Sequence, residues 1–429
     1  MKHFCILPWI HTSARANGSL KLCCKTERCT VVKDGGDPLY PTEETAVLIG
    51  RDDVRIAMDN QYMNSIRHRI MNGELVDECK SCFIEEQSGQ RSKRQEENDA
   101  WSHLYSPRTI KQNNITASLG LRDLDIRLGN RCNLKCVMCG PTASSMHVRE
   151  ANQIVAEGLS VPARYERVMQ FMPKNGEVYD WVKSFAYNAN IGAMLLQGIE
   201  RLHLSGGEPT LNDEMYQLLS RCIMIGSAPF IDITMNTNLA NLDHELLDML
   251  HEFKSVTIHF SVDATDARRS RYIRYPQNFE KFDQKVQDLL RLPEKFKLGA
   301  IVTFMNINLL DIIDVFEYVE CLNSVRRVDL YPNMLYEPSY YAMNVAPNSL
   351  KNEIRANLSY HQLQRAPSMK IFSHNDNELY GVVSNLIRAI DRPCLEHEKK
   401  DFVDITKTYD KIRSCDFKET FPEFIEWFR

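Results

Sequence analysis

Two hydrophobic patterns alternate along the chain from about residue 121 to residue 333. Short runs rich in apolar and β-branched residues predict strands, and longer stretches with apolar positions three and four residues apart predict helices. The predicted strands span residues 124–128, 199–204, 230–235, 256–262, 299–304 and 328–331. The predicted helices between them span residues 212–224, 242–253, 276–292 and 309–321. This alternation predicts an α/β fold with βαβ units around a parallel sheet, open or closed into a barrel, whose active site lies at the carboxyl ends of the strands.

The segments that flank this region have a different character. Residues 1–95 are rich in cysteine and include a predicted helix at 60–72, while the strongly polar residues 86–100 predict a solvated helix or a linker. Residues 157–198 form a long insert before the second predicted strand. We therefore predict a small Cys-rich N-terminal module at 1–95, a linker at 96–120, a barrel domain at 121–345 and a mostly helical extension at 346–429.

Composition and charge exclude several classes of protein. Of the 429 residues, 43% are hydrophobic, which allows a large buried core and excludes a disordered or fibrous protein. The 52 Lys and Arg residues are balanced by 57 Asp and Glu residues, so the charge gives no footprint for nucleic acid or for an anionic membrane. No apolar run has the length that spans a bilayer, and the first residues turn polar too early for a signal peptide. We expect a cytoplasmic protein without a nucleic-acid or membrane partner.

The cysteines are unusually numerous, and their positions are uneven. Six of the thirteen precede residue 83, and three more, Cys132, Cys136 and Cys139, directly follow the first predicted strand. In a reducing compartment, clustered thiols indicate metal ligands rather than disulfides. Three thiolates at this spacing can each bind a different iron of a cubane and leave the fourth iron open to a small chelating ligand. Zinc is the competing interpretation, but zinc favours four ligands and paired Cys-x2-Cys knuckles.

A glycine-rich turn, Gly206-Gly207-Glu208-Pro209, follows the second predicted strand. The two glycines allow the backbone to approach a ligand closely and to present its amide groups. Glu208 supplies a carboxylate suited to an ammonium group, and Pro209 makes the turn rigid. Alone this turn is a weak signal, but it lies at a strand end, as the cysteine triad does.

The triad and the turn together resemble the radical S-adenosylmethionine (SAM) superfamily, whose signature is Cys-x3-Cys-x2-Cys after the first strand of a partial (β/α)6 barrel. The resemblance implies that Cys132, Cys136 and Cys139 hold a 4Fe–4S cluster. It also implies that Gly206, Gly207 and Glu208 receive the amino end of SAM. In this superfamily, reductive cleavage of SAM yields a 5′-deoxyadenosyl radical, which abstracts hydrogen from the substrate.

Further segments resemble SAM-binding segments of the superfamily. Arg274 follows the fourth strand, where the superfamily often has an arginine against the SAM carboxylate, and a guanidinium fits that group well. Met138 stands where an aromatic residue is common, and a thioether can still pack on adenine. Polar groups at strand ends also cap helices and satisfy turns, which is the alternative for each of them. The candidate SAM contacts are Met138, Gly206, Gly207, Glu208, Pro209, Asn236, Ser261, Asp263, Arg274 and Asn308.

A second cysteine set lies in the N-terminal module. Cys5, Gly18 and Cys23 match the Cys-x(9–15)-Gly-x4-Cys element of SPASM and twitch domains, although in most relatives this module follows the barrel. The resemblance implies an auxiliary 4Fe–4S cluster held by Cys5, Cys23, Cys79 and Cys82. Cys24 is adjacent to Cys23, and its side chain should point the opposite way in an extended segment, so we favour Cys23. A structural zinc site with the same four thiolates is the alternative.

These observations predict a two-cluster radical SAM enzyme that modifies a peptide or protein. It would receive its electron from an external low-potential donor of the flavodoxin or ferredoxin type. One alternative is a radical SAM enzyme that acts on a small molecule or on tRNA. Another is a metal-binding protein that has lost catalysis and whose N-terminal module holds structural zinc.

Overall fold

The computed structural model describes residues 3–26, 29–87, 91–365 and 378–428, with only the backbone described for 361–365 and 378–380. The chain divides into two compact units. The first contains Met1–Asn130, Tyr179–Met235 and Asp243–Val256. The second contains Arg131–Val178, Asn236–Leu242 and Thr257–Arg429.

The strands alternate with helices through most of the described chain. The strands are β1 (His11–Ala14), β2 (Leu20–Lys21), β3 (Asp123–Arg127), β4 (Lys135–Cys136), β5 (Arg201–Ser205), β6 (Asp232–Thr237), β7 (Ser255–Ser261), β8 (Arg274–Tyr275), β9 (Phe296–Phe304) and β10 (Val328–Met334). The α-helices are α1 (Leu7–Ile10), α2 (Val54–Met58), α3 (Gln61–Met71), α4 (Lys80–Gln87), α5 (Lys93–Ala100), α6 (Pro107–Gln112), α7 (Ser145–Ala156), α8 (Ala163–Met169), α9 (Phe185–Leu196), α10 (Asp213–Ile225), α11 (His244–His251), α12 (Ala267–Ile273), α13 (Phe279–Leu290), α14 (Asp311–Asn323), α15 (Asn348–Arg365), α16 (Glu378–Ile390), α17 (Glu396–Arg413) and α18 (Phe417–Thr420).

The first unit is built on a parallel sheet. Within it, β3 pairs in parallel with β5, and β5 pairs in parallel with β6. Along β5 the apolar side chains Leu202 and Leu204 are buried, whereas the alternate polar positions are half-buried. Because successive strand residues point to opposite faces, one face of the sheet packs into the core and the other carries polar groups.

An N-terminal strand extends this sheet. β1 pairs in parallel with β3, in the register that puts His11 opposite Asp123, and β2 pairs antiparallel with β1. Gly18 closes the β1–β2 hairpin at φ +82°, a conformation that favours glycine, and an added Cβ would meet the Trp181 ring at 3.0 Å. The Cys-rich segment therefore contributes a strand to the same sheet as β3, which the sequence patterns did not predict.

The second unit combines strands with most of the C-terminal helices. β9 and β10 form a long parallel pair, and β4 and β8 form a separate short antiparallel pair. The apolar face of α14, including Val315 and Phe316, is fully buried. The C-terminal helices share an aromatic core in which the Phe402 ring lies 5.5 Å from that of Phe417. This core fixes the end of α17, which contributes to the candidate site.

The α/β class predicted from the sequence is confirmed. All six predicted strands and the predicted helices at 60–72, 212–224, 242–253, 276–292 and 309–321 are present with small shifts at their ends. The polar stretch 86–100 contains α5, but Arg94 and Glu97 on it are buried, so this helix is less solvated than its composition suggests. The predicted linker at 96–120 includes α6. The division into four parts at 1–95, 96–120, 121–345 and 346–429 stays a prediction. Among the described residues, no helix is long and apolar enough to cross a membrane.

We predict that Arg67, a fully buried arginine of the first unit, is essential for its stability. Arg67 is fully buried on α3 and donates to the carbonyl oxygens of Pro8 (2.9 Å) and Thr116 (2.9 Å). Arg67→Met leaves these acceptors without their donor and is expected to lower the free energy of unfolding by about 3 kcal/mol. Denaturant unfolding of the full chain measures the loss.

Arg69→Met is the matched control, because Arg69 lies on the same helix but is partly exposed in its pair with Glu74. Its effect should stay within about 0.5 kcal/mol. Equal losses for the two variants would contradict the assignment.

Candidate functional site

The cysteine triad lies on a loop that a short antiparallel pair holds in place. Cys136 on β4 is the direct partner of Arg274 on β8. α7 begins just after the loop, where Ser144 caps the helix and donates its hydroxyl to the Leu134 carbonyl oxygen at 2.6 Å. The Ser145 hydroxyl bonds to the backbone of Cys132 at 3.2 Å. Both ends of the loop are therefore fixed by local hydrogen bonds.

The three thiols do not share one setting: the hydrogen bond with Cys136 and burial raise the pKa of Cys139 well above its usual value. A hydrogen bond from Cys139 lowers the pKa of buried Cys136 to about 7, with Arg274 also lowering it and burial opposing the shift. The Cys132 sulfur accepts from the Leu134 backbone N–H at 3.5 Å and from Asn238 Nδ2 at 3.9 Å. N–H groups directed at sulfur stabilise thiolates and metal-bound sulfurs.

Arg274 is a largely buried cation next to the triad, with 11% of its side chain exposed. Its Nη1 donates to the Asp263 carboxylate at 2.7 Å, while its buried Nε has no hydrogen-bond partner among the described residues. Burial alone lowers the pKa of Arg274, but Cys136 and Asp263 raise it above its usual value. A fixed guanidinium with one unused donor is suited to an anionic ligand.

Asp263 and Asn308 brace the strand ends around Arg274. The Asp263 carboxylate also accepts from the Thr303 backbone N–H at 2.7 Å. Asn308 Nδ2 donates to the carbonyl oxygens of Asp263 and Thr303, at 2.9 Å each, and its Oδ1 accepts from Met305 N at 2.8 Å. The amide of Asn308 is thus engaged with the backbone, and a contact with SAM stays a prediction for it.

The remaining polar candidates of the second unit are half-buried at strand ends. Asn236 Oδ1 lies 3.1 Å from His259 Nδ1, and the His259 ring packs 4.4 Å from that of Tyr331. Gly299 on β9 provides the space for this pair, because an added Cβ would come within 2.7 Å of both rings. Met138 and Ser261 are half-buried and keep part of their side chains accessible to a ligand.

A buried carboxylate, Glu150, joins the loop to two helices. Its Oε1 lies 2.9 Å from Lys135 Nζ on the cysteine loop, and its two oxygens accept from Arg413 Nε and Nη2 at 2.9 and 2.7 Å. His147, one turn earlier on α7, lies 2.9 Å from the Cys136 carbonyl oxygen and 3.3 Å from Glu150. Burial raises the pKa of Glu150, but Arg413 and His147 outweigh it and hold that pKa below the usual range.

The Gly-Gly-Glu-Pro turn lies in the first unit after β5. Gly206 has φ +141°, and an added Cβ would lie 3.0 Å from the Gly129 carbonyl oxygen, so no other residue fits. The Gly207 N–H donates to that same oxygen at 3.1 Å. Glu208 is buried, and its Oε1 accepts from the Thr210 backbone N–H at 3.2 Å, which caps the short 3-10 helix that begins at Pro209. The same oxygen also accepts from the Thr210 hydroxyl at 2.8 Å. The backbone conformation thus accounts for glycine at Gly206, while the predicted approach of a ligand to this turn stays a prediction.

The four auxiliary cysteines line one cavity in the first unit. Cys79 and Cys82 are three residues apart at the start of α4, and Cys5 and Cys23 flank the β1–β2 hairpin; all four line this cavity with Lys25, Lys93 and Arg94. Burial and the neighbouring thiols Cys79 and Cys23 raise the pKa of Cys5 well above its usual value. Cys24 does not line the cavity, and burial raises its pKa to about 11 beside Lys93. The structure thus brings together the cysteines that the spacing selects.

Thiols are the usual protein ligands of iron–sulfur clusters, so both cysteine sets are candidates to hold one. Among the residues described, no three His, Cys, Asp or Glu side chains form a ready site for a single metal ion. A 4Fe–4S cluster requires no such convergence, because each thiolate binds a different iron. N–H groups directed at sulfur occur in both sets, from Leu134 to Cys132 and from the Leu7 backbone to Cys5.

The sequence identified the thiols but missed their supports. Glu150 and Arg413 are 263 residues apart, and neither belongs to a motif. Only the position of Lys135 within the cysteine loop was a weak sequence indication that it supports the site. The i, i+3 spacing of His147 and Glu150 on one face of a helix was visible, but the same spacing is common on helices that have no functional site.

Comparisons with known proteins give a family and distant relatives. Residues 126–319 match the model of the Radical SAM superfamily. GTP 3′,8-cyclase of Aquifex aeolicus is 22% identical over 278 residues, covering 64% of this chain and 77% of the relative. GTP 3′,8-cyclase of Clostridium botulinum (strain Okra) is 26% identical over 226 residues, covering 51% and 60%. The crystal structure of Streptococcus suis SuiB is 14% identical, with coverage of 78% and 70% and a TM-score of 0.35, too low to argue from.

We predict that Arg413 maintains the cysteine loop. Arg413→Met leaves the Glu150 carboxylate buried without its bidentate partner, so the free energy of unfolding should fall by about 3–5 kcal/mol. Denaturant unfolding of the full chain without metal measures this loss.

Arg271→Met is the control, since exposed Arg271 lies over the same Tyr275 ring (5.3 Å) that Arg413 approaches (5.5 Å). This control should cost less than about 1 kcal/mol. A loss for Arg413→Met no larger than that of the control would show that the buried pair is not needed.

Proposed function

Residues 126–319 are a radical SAM domain, and from this premise we propose that the chain is an enzyme with two iron–sulfur clusters. Cys132, Cys136 and Cys139 hold the first, a 4Fe–4S cluster with one iron left for the amino and carboxylate groups of SAM. When bound there, the cluster supplies the electron that cleaves SAM to a 5′-deoxyadenosyl radical. The observation that carries the proposal is the pairing of Cys136 with Arg274 on facing strands, because it sets a largely buried cation with an unused donor beside the thiols.

The residues around the triad have distinct tasks in this proposal. Arg274 binds the SAM carboxylate through its unpartnered Nε, and Asp263 fixes its orientation through the 2.7 Å ion pair. Leu134 N and Asn238 Nδ2 stabilise the Cys132 thiolate. The other proposed SAM contacts are Met138, Gly206, Gly207, Glu208, Pro209, Asn236, Ser261 and Asn308.

The N-terminal cysteines are proposed to hold an auxiliary 4Fe–4S cluster. Its ligands are Cys5, Cys23, Cys79 and Cys82, which line one cavity with three cationic side chains. Each of those cations is also paired with a glutamate, so they offset the negative charge of four thiolates only in part. The auxiliary cluster would anchor substrate or accept an electron from it, and an external flavodoxin or ferredoxin would reduce the SAM cluster. Structural zinc in this cavity is the alternative.

The proposed substrate is a peptide or protein, because the cysteine spacing of the N-terminal module resembles that of SPASM and twitch domains. A small molecule is the second candidate, and the identity of 22–26% with GTP 3′,8-cyclases favours it. Transfer of deuterium from a labelled candidate into 5′-deoxyadenosine identifies the substrate.

We predict that Cys136→Ala abolishes SAM cleavage. The wild-type chain, reconstituted anaerobically with iron and sulfide, should bind about eight irons and produce 5′-deoxyadenosine with SAM and dithionite. Cys136→Ala removes one ligand of the SAM cluster and should yield no 5′-deoxyadenosine by chromatography. Product formation by this variant at the wild-type rate would contradict the assignment of the triad.

Cys79→Ala tests the auxiliary site separately. It should lower the iron content by about four per chain and leave some uncoupled SAM cleavage, because the triad is intact. Cys29→Ala is the control, since Cys29 is buried in the same module but does not line the cavity. A wild-type total of about four irons together with one zinc would favour structural zinc instead.

A further inference from the structure

A large polar cavity lies within the C-terminal helical extension, apart from both cysteine sets. Its volume is about 660 Å³, in the range of small-molecule sites. The first turn of α15, the end of α16 and the first turn of α17 surround it, together with Trp427. Its lining residues are Ala346, Pro347, Asn348, Ser349, Lys351, Arg355, Ile390, Asp391, Arg392, Pro393, Cys394, Glu396, Lys399, Glu426 and Trp427.

Lys351 is the unusual residue of this cavity. Lys351 is only 9% exposed. Its backbone N–H donates to the Pro347 carbonyl oxygen at 3.0 Å, but its ammonium group has no hydrogen bond or ion pair among the described residues. Burial lowers the pKa of Lys351, and the nearby Cys394 and Asp391 offset this lowering only in part. A buried charge without a partner is costly, and the arrangement is stabilised when an anion enters the cavity.

Other groups around Lys351 favour an anion as well. Lys399 lies 5.1 Å above the Trp427 ring, and Arg392 lies 5.2 Å above the Tyr336 ring; neither forms an ion pair within the described chain. α15 is 18 residues long, carries no acidic residue in its first turn and directs free N–H groups toward this end. The cavity therefore combines a helix N-terminus with an independent buried cation.

The acidic residues of the lining do not cancel this charge. Asp391 is engaged with Arg355 in an ion pair. Glu396 and Glu426 are exposed to solvent, where water and salt screen their charges. The field at the buried end of the cavity is therefore dominated by Lys351.

We propose that this cavity binds the oxyanion group, phosphate or carboxylate, of a small molecule, with Lys351 as its main contact. Lys399 and the first N–H groups of α15 complete the anion site, and Trp427 forms an apolar wall beside it. This ligand site is separate from the proposed radical chemistry and does not depend on either cluster.

The test is whether the full reconstituted chain binds anions. Isothermal titration calorimetry measures the affinity, and thermal unfolding measures the stabilisation on binding. Inorganic phosphate and succinate are the two probes, each compared with sodium chloride at equal ionic strength. Saturating phosphate, succinate or both should raise the unfolding midpoint of the wild type by about 2 °C or more. A response to phosphate alone identifies a phosphorylated ligand, and a response to succinate alone identifies a carboxylate ligand.

Lys351→Met should lower the affinity for the probe that binds the wild type at least tenfold. In sodium chloride this variant should unfold at the wild-type temperature or above, because the substitution removes an uncompensated buried charge. Lys399→Met should weaken binding about threefold and provides a second reading if Lys351→Met does not fold. Exposed Lys407 on α17 is the control, and Lys407→Met should bind as the wild type does. No binding of either probe, or binding unchanged in Lys351→Met and Lys399→Met, overturns the proposal.

Discussion

The candidate radical site depends on one buried carboxylate. Glu150 is held by Lys135 from the cysteine loop, by His147 from its own helix and by Arg413 from the end of α17. A carboxylate that is buried away from water stays ionised only while its charged partners remain next to it. The same contacts that keep Glu150 ionised therefore fix the loop on which the three thiols stand.

The need to pair Glu150 gives the C-terminal extension a structural role that no motif in its sequence predicts. α17 packs through Phe402 into an aromatic core and ends at Arg413, which reaches Glu150. The extension thus supports the cysteine loop and also contains the separate polar cavity around Lys351. Likewise β1 connects the Cys-rich segment to β3, so the auxiliary cysteines are attached to the parallel sheet.

Sequence patterns over short stretches predicted the features that depend on neighbouring residues. The strands and helices follow from periodicity along the chain, and the grouping of Cys23 with Cys79 was implied by the resemblance to SPASM and twitch domains. The supports could not be predicted in this way, because the Glu150–Arg413 pair joins residues 263 positions apart, and β1 is four residues long and lacks the pattern of a buried strand. The bonds from the Asn308 amide to the carbonyl oxygens of Asp263 and Thr303 were likewise not predicted, and its contact with SAM stays a prediction.

The most direct test of the central claim is pulsed electron–nuclear double resonance on the reduced, reconstituted chain with SAM that carries ¹⁵N in its amino group. If the triad holds a cluster with an open iron that SAM chelates, the spectrum contains a ¹⁵N hyperfine coupling that Cys136→Ala abolishes. A reduced cluster without such coupling, or a coupling that persists in the variant, would contradict the account.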